Sequence, residues 1–475
     1  MDLQLNPEKT FAIVADDLTG ANDTGIQFLK KGLKTLVILD LEIEPGLIND
    51  IQVVVLNTDS RFLAPEQAYA QTRAMGLVLK NLKISRVYKK IDSTLRGHIG
   101  TEIDALMEIL NFKVCFLTPA FPVYGRTVQN GSLYLDGVPI HKTAIASDPT
   151  FYMKNAFIPD LLVRQTRRKV EVIPLETLRQ GKETLLPNVH RLIQDGTEIF
   201  VLDALVQDDL KIAAQTIARL SMPVLICGSA GLAAEIPEAF HLEGTAGKEK
   251  KNGRRKDEEK ERSFFLPFSD SPPRFSVVGI CGSLSPVTRE QVEYAARNLQ
   301  IPVLEALSDK MVDEQEKTGE IQRLVTRALS YLIQGKDILV TTDNSRKELP
   351  SEVFLRHSRQ VAQALGDLAV ELLNSTRCKV QEMGQISGLF LTGGDIALSV
   401  CQHLGARGIY LVEEVLPGIP SGRLIGGDSA GLNIITKAGA FGHPEAIARC
   451  IEYLKTRHQD TGFRGQKENL PNSDS

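Results

Sequence analysis

Several familiar signatures are missing from this 475-residue chain. No stretch approaches the ~18 consecutive apolar residues that a membrane helix needs. The opening MDLQLNPEKT holds neither a basic region nor an apolar one, so no secretory signal is expected. The six cysteines, Cys115, Cys227, Cys281, Cys378, Cys401 and Cys450, form no C-x-x-C pair. Most sit in apolar runs such as Val114-Cys115-Phe116, and they read as reduced thiols packed as small hydrophobes. A formal charge of -4 supplies no field to draw in nucleic acid or an anionic membrane. These absences point to a cytoplasmic globular protein whose partners are small molecules, and they leave a homodimer open.

Catalytic signatures are missing as well. Without G-x-x-x-x-G-K-[ST] the chain is no P-loop enzyme, and no clean G-x-G-x-x-G follows a strand. The H-E-x-x-H and G-x-S-x-G patterns of zinc proteases and serine hydrolases are absent too.

What is present is alternation. Short β-branched runs at 11–15, 35–39, 52–56, 86–91, 113–118, 198–202 and 223–227 read as strands. Helical patterns lie between several of them, at 22–31, 65–82 and 97–110. Strands that are apolar on both faces and separated by helices predict a parallel sheet with covered faces. At 242–273 the composition turns to densely mixed charge, which reads as a solvated linker because it cannot bury enough apolar surface to order itself. Alternation then resumes, with strands expected at 275–280, 337–341, 388–391, 408–412 and 433–436. Helices are expected at 286–298, 319–333, 350–373 and 395–404. The expected fold is two α/β domains with largely parallel sheets, over 1–241 and 274–455, an active site in the cleft between them, and a frayed tail over 456–475.

Chemistry appears at strand ends, where open parallel sheets bind ligands. In FAIVADDLTGANDTG (11–25) an apolar strand stops at Asp16-Asp17, with Asp23 following in the next helix. One Asp capping a helix is common; two adjacent carboxylates need a positive partner. In VYKKIDSTLRGHIG (87–100), strand alternation puts Lys90 and Asp92 on one face and Ile91 on the other, and Ser93-Thr94 are placed to cap a helix from about Leu95. Arg61, in NTDSRFLAPEQA (57–68), is suited to a bidentate pair with a substrate carboxylate. PAFPVYGRTVQNGSLYLDGVPI (119–140), with Gly125-Arg126, reads as a loop and hairpin over the same edge. The second half instead places glycine at strand ends: Cys281-Gly282-Ser283, Thr392-Gly393-Gly394-Asp395, Gly426-Gly427-Asp428 and Lys437-Ala438-Gly439. Amides of such turns cradle phosphate.

ADDLTGA at 15–21, KKIDSTLRG at 89–97, PAFP with GR at 119–126, and TGGD with LPGIPSGR at 392–423 resemble the four-carbon acid sugar kinases, which include D-threonate, D-erythronate and 3-oxo-tetronate kinases. The resemblance spans nearly everything except the charged linker and tail. It implies a sugar-acid-binding first domain, with contacts from Asp16, Asp17, Arg61, Lys90, Ile91 and Asp92. It also implies a second domain that holds ATP through Ser283, Thr392, Gly393, Gly394, Asp395 and Gly439. His98, Asp395-Ile396 and Ala438-Gly439-Ala440 depart from the family pattern. The first bears on substrate choice, the others on side-chain contacts to ATP.

The mechanism expected is phosphoryl transfer to a C4 hydroxyl, D-threonate being favoured. Arg61 and Lys90 would hold the acid's carboxylate and Asp17 or Asp92 would serve as base. Mg²⁺ would bridge the ATP phosphates without dedicated protein ligands. An NAD-dependent hydroxy-acid dehydrogenase and a non-catalytic sugar-acid sensor stay open as alternatives.

Overall fold

The computed structural model describes residues 5–6, 9–41, 50–147, 151, 153–244, 275–343, 351–378, 385–439 and 441–457. Residues 245–273 of the expected linker, the tail from 458 onward and Ala440 lie outside the described residues. Residues 242–244, expected in the linker, belong to the first half: the Glu243 carbonyl accepts from Gln52 Nε2 at 2.7 Å.

The first half supplies β1 (Phe11–Ala15), β2 (Thr35–Ile38), β3 (Val53–Asn57), β4 (Val87–Lys90), β5 (Val114–Thr118), a small sheet of β6 (Arg126–Gln129), β7 (Ser132–Leu135) and β8 (Val138–Pro139), then β9 (Val170–Ile173), β10 (Ile199–Leu202) and β11 (Val224–Gly228). The second half supplies β12 (Phe275–Cys281), β13 (Val303–Ala306), β14 (Ile338–Thr342), β15 (Gln385–Thr392), β16 (Gly408–Leu416), β17 (Ile419–Ile425) and β18 (Asn433–Lys437). Both halves are α/β, as expected, but their sheets are not separate. A single 15-stranded sheet runs β13-β14-β12-β15-β18-β17-β16-β2-β3-β1-β4-β11-β5-β10-β9. The join is an antiparallel ladder between β2 and β16. Within this sheet only the ladders made by β16 and β17 are antiparallel, and the β12, β15 and β14 pairings are parallel.

Local sequence explains the layering. β1 is buried along its whole length, as a strand covered on both faces must be. Helix Leu18–Leu29 follows with Asp17 as its N-cap, in extended backbone conformation. That helix is buried almost throughout, because small residues let sheet and helix approach closely. A Cβ at Gly25 would lie 2.8 Å from Leu411 Cδ1 of β16. Phe11 and Phe28 meet with centroids 5.0 Å apart, and each fully buried phenyl contributes about 1.5–3 kcal/mol. One apolar core runs through both halves, and a smaller one lies beneath helix Ala446–Thr456. No helix among the described residues is long and apolar enough to cross a membrane.

Candidate active site

In the first half, β3, β1 and β4 are sheet neighbours, so the segments leaving their carboxyl ends converge. These are 57–61, Asp16-Asp17 and 90–92. Arg61 forks onto Asp16, Nε to Oδ2 and Nη2 to Oδ1, both at 2.8 Å, and its Nη2 also donates to Asp17 Oδ1 at 2.6 Å. Burial opposes the charged form of Asp16, yet Arg61, Lys89 and Lys90 hold its carboxyl below the usual range. Asp17 also caps the helix: Oδ1 accepts from Gly20 N–H at 2.9 Å and Oδ2 from the Thr19 hydroxyl at 2.6 Å.

The two lysines of β4 point to opposite faces and do different work. Lys89 is fully buried, pairs with Glu102 at 2.8 Å, and donates to the Lys90 carbonyl. Glu102 in turn accepts from the Ser60 hydroxyl, which also meets Thr58. This network pins the loop that carries Arg61. Lys90 is 4% exposed and, among the described residues, makes no hydrogen bond or ion pair through its ammonium, acting on Asp16 and Asp23 through charge. Its Nζ would lie 2.9 Å from a Cβ built on Gly20. Asp92 accepts from the Thr94 hydroxyl and pairs with Arg96 at 2.7 Å. Burial raises its carboxyl, but Arg96 and Arg61 outweigh that and hold it well below the usual range.

Three expectations for this half change. Arg61 is engaged by two carboxylates of its own chain, because Asp16 and Asp17 could not be buried together without a cation. The Ile91 side chain is fully buried in the core, so only its backbone is available to a ligand. Ser93-Thr94 cap no helix. The next one is Ile99–Leu110, its N-cap His98 offers no side-chain bond, and the His98 ring meets the Leu63 carbonyl at 2.7 Å.

In the second half, β12, β15 and β18 are adjacent and parallel, and their carboxyl ends bring together Ser283, Thr392–Asp395 and Gly439. Gly393 has a φ of 104°, a left-handed conformation that favours glycine, and it opens helix Gly394–His403. The Thr392 hydroxyl is buried and without a partner among the described residues. A Cβ on Gly439 would collide with Ser283 Oγ. Lys437 holds this turn by donating to the carbonyls of Ala438 at 2.9 Å and Phe441 at 3.0 Å. Gln291 ties Phe441, Gly442 and His443 from the other side. Gly426-Gly427-Asp428 does not join them. β17 runs antiparallel to β18, so its end lies away from the site, where a Cβ on Gly427 would strike the Leu404 carbonyl.

The two sets of strand ends meet. A Cβ on Gly394 would lie 3.2 Å from Asp17 Oδ2, and Asn22 Nδ2 donates to Thr436 Oγ1 at 2.8 Å. Tyr124 stacks on Phe441 with centroids 4.9 Å apart. The Arg126 guanidinium lies 5.7 Å from the Tyr124 ring and 5.8 Å from the Phe441 ring. A carboxylate-rich set of strand ends thus faces a glycine-lined, helix-terminated one.

Comparison with known proteins matches each half separately. Residues 11–236 match the sugar-binding N-terminal domain and residues 278–447 the nucleotide-binding C-terminal domain. A Salmonella typhimurium LT2 protein described as a tRNA synthase shares the fold, with a TM-score of 0.71 at 24% identity over 93% of this chain and 98% of that one. The chain is 32% identical over 446 residues to the D-threonate kinase of Salmonella typhimurium, covering 93% of this chain and 98% of that protein. The chain belongs to the four-carbon acid sugar kinase family. It is also 30% identical to the D-erythronate kinase of Heliobacterium modesticaldum, over 94% of this chain and 97% of that one. The 3-oxo-tetronate kinase of Burkholderia multivorans is 28% identical, over 93% and 96%. The kinase reading therefore stands ahead of the dehydrogenase and sensor readings.

In this kinase the structure adds residues around the expected ones. Arg96, Lys89 and Glu102 position the sugar-acid side, and Lys437 with Gln291 positions the nucleotide side. Tyr124, Arg126 and Phe441 bridge the two. Lys437, Phe441 and Arg96 lie inside motifs read from sequence, whereas Gln291 carries no signal beyond its residue type.

Proposed function

We propose that this kinase transfers the γ-phosphoryl group of ATP to the C4 hydroxyl of a four-carbon sugar acid, D-threonate first among the candidates, in the cytoplasmic breakdown of such acids. The observation that carries this reading is the approach of Gly394 to Asp17. It sets the amino end of a helix, where backbone N–H groups favour phosphate, against the carboxylates of the sugar-binding half.

The Lys90 ammonium, buried beside these carboxylates and without a hydrogen bond or ion pair among the described residues, suits the acid's carboxylate. Arg61 keeps Asp16 charged and orients both Asp16 and Asp17 toward the substrate hydroxyls. The phosphates would be held by backbone groups of Gly393, Gly394 and Gly439, by the unpartnered Thr392 hydroxyl and by Ser283, with Asp395 beside them. A side chain at Gly439 would fill that cradle, which supports the fit to a nucleotide. Among the described residues no group of three or more His, Cys, Asp or Glu fits a metal. Bound with ATP, Mg²⁺ would supply charge neutralisation at the phosphates.

The test is ADP release with ATP and Mg²⁺ across D- and L-threonate, D- and L-erythronate and 3-oxo-tetronate. Turnover with D-threonate well above the others supports the reading; turnover confined to another acid moves the substrate, and none with any acid sinks it.

A further inference from the structure

Asp23 lies on helix Leu18–Leu29, three residues after Gly20. Residues at that spacing share a helix face. At Gly20 that face looks onto Lys90 Nζ and Asp17 Oδ1, 2.9 and 2.5 Å from a Cβ built there. Asp23 therefore sits one turn deeper, along the line that leads from the charged pair into the junction of the two halves. It is 7% exposed, and its carboxylate accepts no hydrogen bond among the described residues, with Oδ1 buried and unpartnered. Buried polar atoms without partners are rare, and at a site they mark a place that a ligand completes.

We propose that Asp23 is the base that accepts the C4 hydroxyl proton during phosphoryl transfer, in place of Asp17 or Asp92. This rests on the kinase reading above. Three neighbouring carboxylates, Asp16, Asp17 and Asp92, are occupied, and Asp59, on the loop before Arg61, is exposed to solvent. Asp16 is forked by Arg61, Asp17 takes Arg61 and Gly20 on one oxygen and Thr19 on the other, and Asp92 takes Thr94 and Arg96. A carboxylate filled with donors orients its neighbours but is a poor proton acceptor, whereas Asp23 has its lone pairs available.

The atoms balance simply. The C4 oxygen bonds to the γ-phosphorus as the bond from that phosphorus to the β,γ-bridging oxygen breaks, and that electron pair leaves with ADP. The hydroxyl proton passes to Asp23, which later releases it to water. Burial pushes the Asp23 carboxyl up to about 7, with Lys90 opposing and Glu414 and Asp17 reinforcing. The ionisable groups acting around it are Asp17 and Lys30 of its own segment, Lys90 and Tyr88 of β4, Tyr124, and Glu414 of β16. A base near 7 serves neutral-pH catalysis well, and turnover should fall as pH drops through that value.

The experiment compares the full-length wild type with Asp23→Asn and Asp23→Glu. It measures kcat and KM for the acid from acidic to mildly alkaline pH, acid binding by calorimetry without nucleotide, and melting temperature. Asp23→Asn is expected to lose kcat by about 10²–10⁴-fold, with acid binding and KM little changed and the acidic limb of the profile gone. Asp23→Glu should retain activity with that limb displaced. Should Asp23→Asn melt early, the Asp23→Glu profile decides: an unmoved limb overturns the assignment. So does an Asp23→Asn enzyme that keeps the wild-type kcat and limb, or one that loses acid binding in step with kcat. A wild type that turns over none of the tetronates overturns the underlying reading as well, whereas an active wild type with an unaffected Asp23→Asn overturns this assignment alone.

Discussion

Gly394 and Asp17 come from opposite halves of the chain, yet a Cβ on Gly394 would stand only 3.2 Å from Asp17 Oδ2 and 3.7 Å from Thr19 Oγ1. The helix that Gly394 opens is short, and its first residues point at the carboxylate that caps the first helix of the other half. That closeness leaves room for backbone and little else.

Enlarging Gly394 should therefore hurt turnover before it hurts folding. Alanine favours the helix over glycine, so the melting temperature should hold or rise. A methyl at that separation displaces Asp17 or the helix terminus by a few tenths of an ångström, and kcat is expected to fall by about tenfold. Gly394→Val, with more bulk, should lose about 10²-fold or more, the scale set by small misplacements of reacting groups. Steady-state kinetics at saturating ATP, beside a thermal melt, separate the two effects.

The Lys89–Glu102 pair predicts a split between stability and activity. Both side chains are fully buried at 2.8 Å, so Lys89→Met or Glu102→Gln alone strands a charge and should cost about 3–5 kcal/mol. Lys89→Met with Glu102→Leu removes both charges and should recover most of that loss in a denaturant titration. Activity should not recover, because Glu102 also receives the Ser60 hydroxyl and so holds the loop bearing Arg61.

Lys437 carries a pH signature. Burial pulls its ammonium down from the ordinary lysine value of 10.5 to about 8. Between those values the unfolded chain binds more protons than the folded one, so this residue's contribution rises with pH. Measured as the difference between wild type and Lys437→Met, stability should climb from about pH 8 to 10 by at most ~1.4 kcal/mol per unit. The same substitution releases carbonyls of the turn around Gly439 and should raise the KM for ATP by about tenfold, the size of one lost contact of roughly 1.4 kcal/mol. A flat difference curve would remove the buried-ammonium account.

Much of this site could be read in advance because parallel strands deliver their following segments to one edge. That rule marked Asp16-Asp17, Arg61 and Lys90–Asp92 as candidates, glycine at strand ends marked Ser283, Thr392–Asp395 and Gly439, and the structure brings the members of each set together. The limits were also physical. A glycine pair signals a tight turn and says nothing of strand direction, so Gly426-Gly427 looked equivalent to Gly393-Gly394 until β17 was seen to run the other way. β17 carries little strand signal because Pro420 and Gly422 are poor strand residues; at Gly422 a Cβ would lie 2.5 Å from Ile409 Cγ2, so the neighbouring strand excludes a side chain. β9 and β13 are short strands at the two edges of the sheet, with half-polar patterns that carry little periodic signal. Whether a carboxylate such as Asp23 is paired depends on Lys90 and Glu414, which lie far away in sequence and declare nothing locally.

The Tyr124–Phe441 stack joins the hairpin of the sugar-binding half to the turn that carries Gly439, and it predicts coupling between the two substrates. Tyr124→Ala and Phe441→Ala should each raise the KM for acid and for ATP, although each ring belongs to only one half. Aromatic pairs contribute about 0.5–1.5 kcal/mol beyond their buried area, so a double-mutant cycle on kcat/KM should return an interaction energy in that range. Arg126 lies against both rings, so Arg126→Lys should weaken the clasp while keeping the charge. If the stack only fills space, the two single losses will add and each will fall on one substrate's KM. If it transmits occupancy from one half to the other, the double variant will be no worse than the poorer single one, and any tightening of acid binding by ATP measured in the wild type will be lost in it.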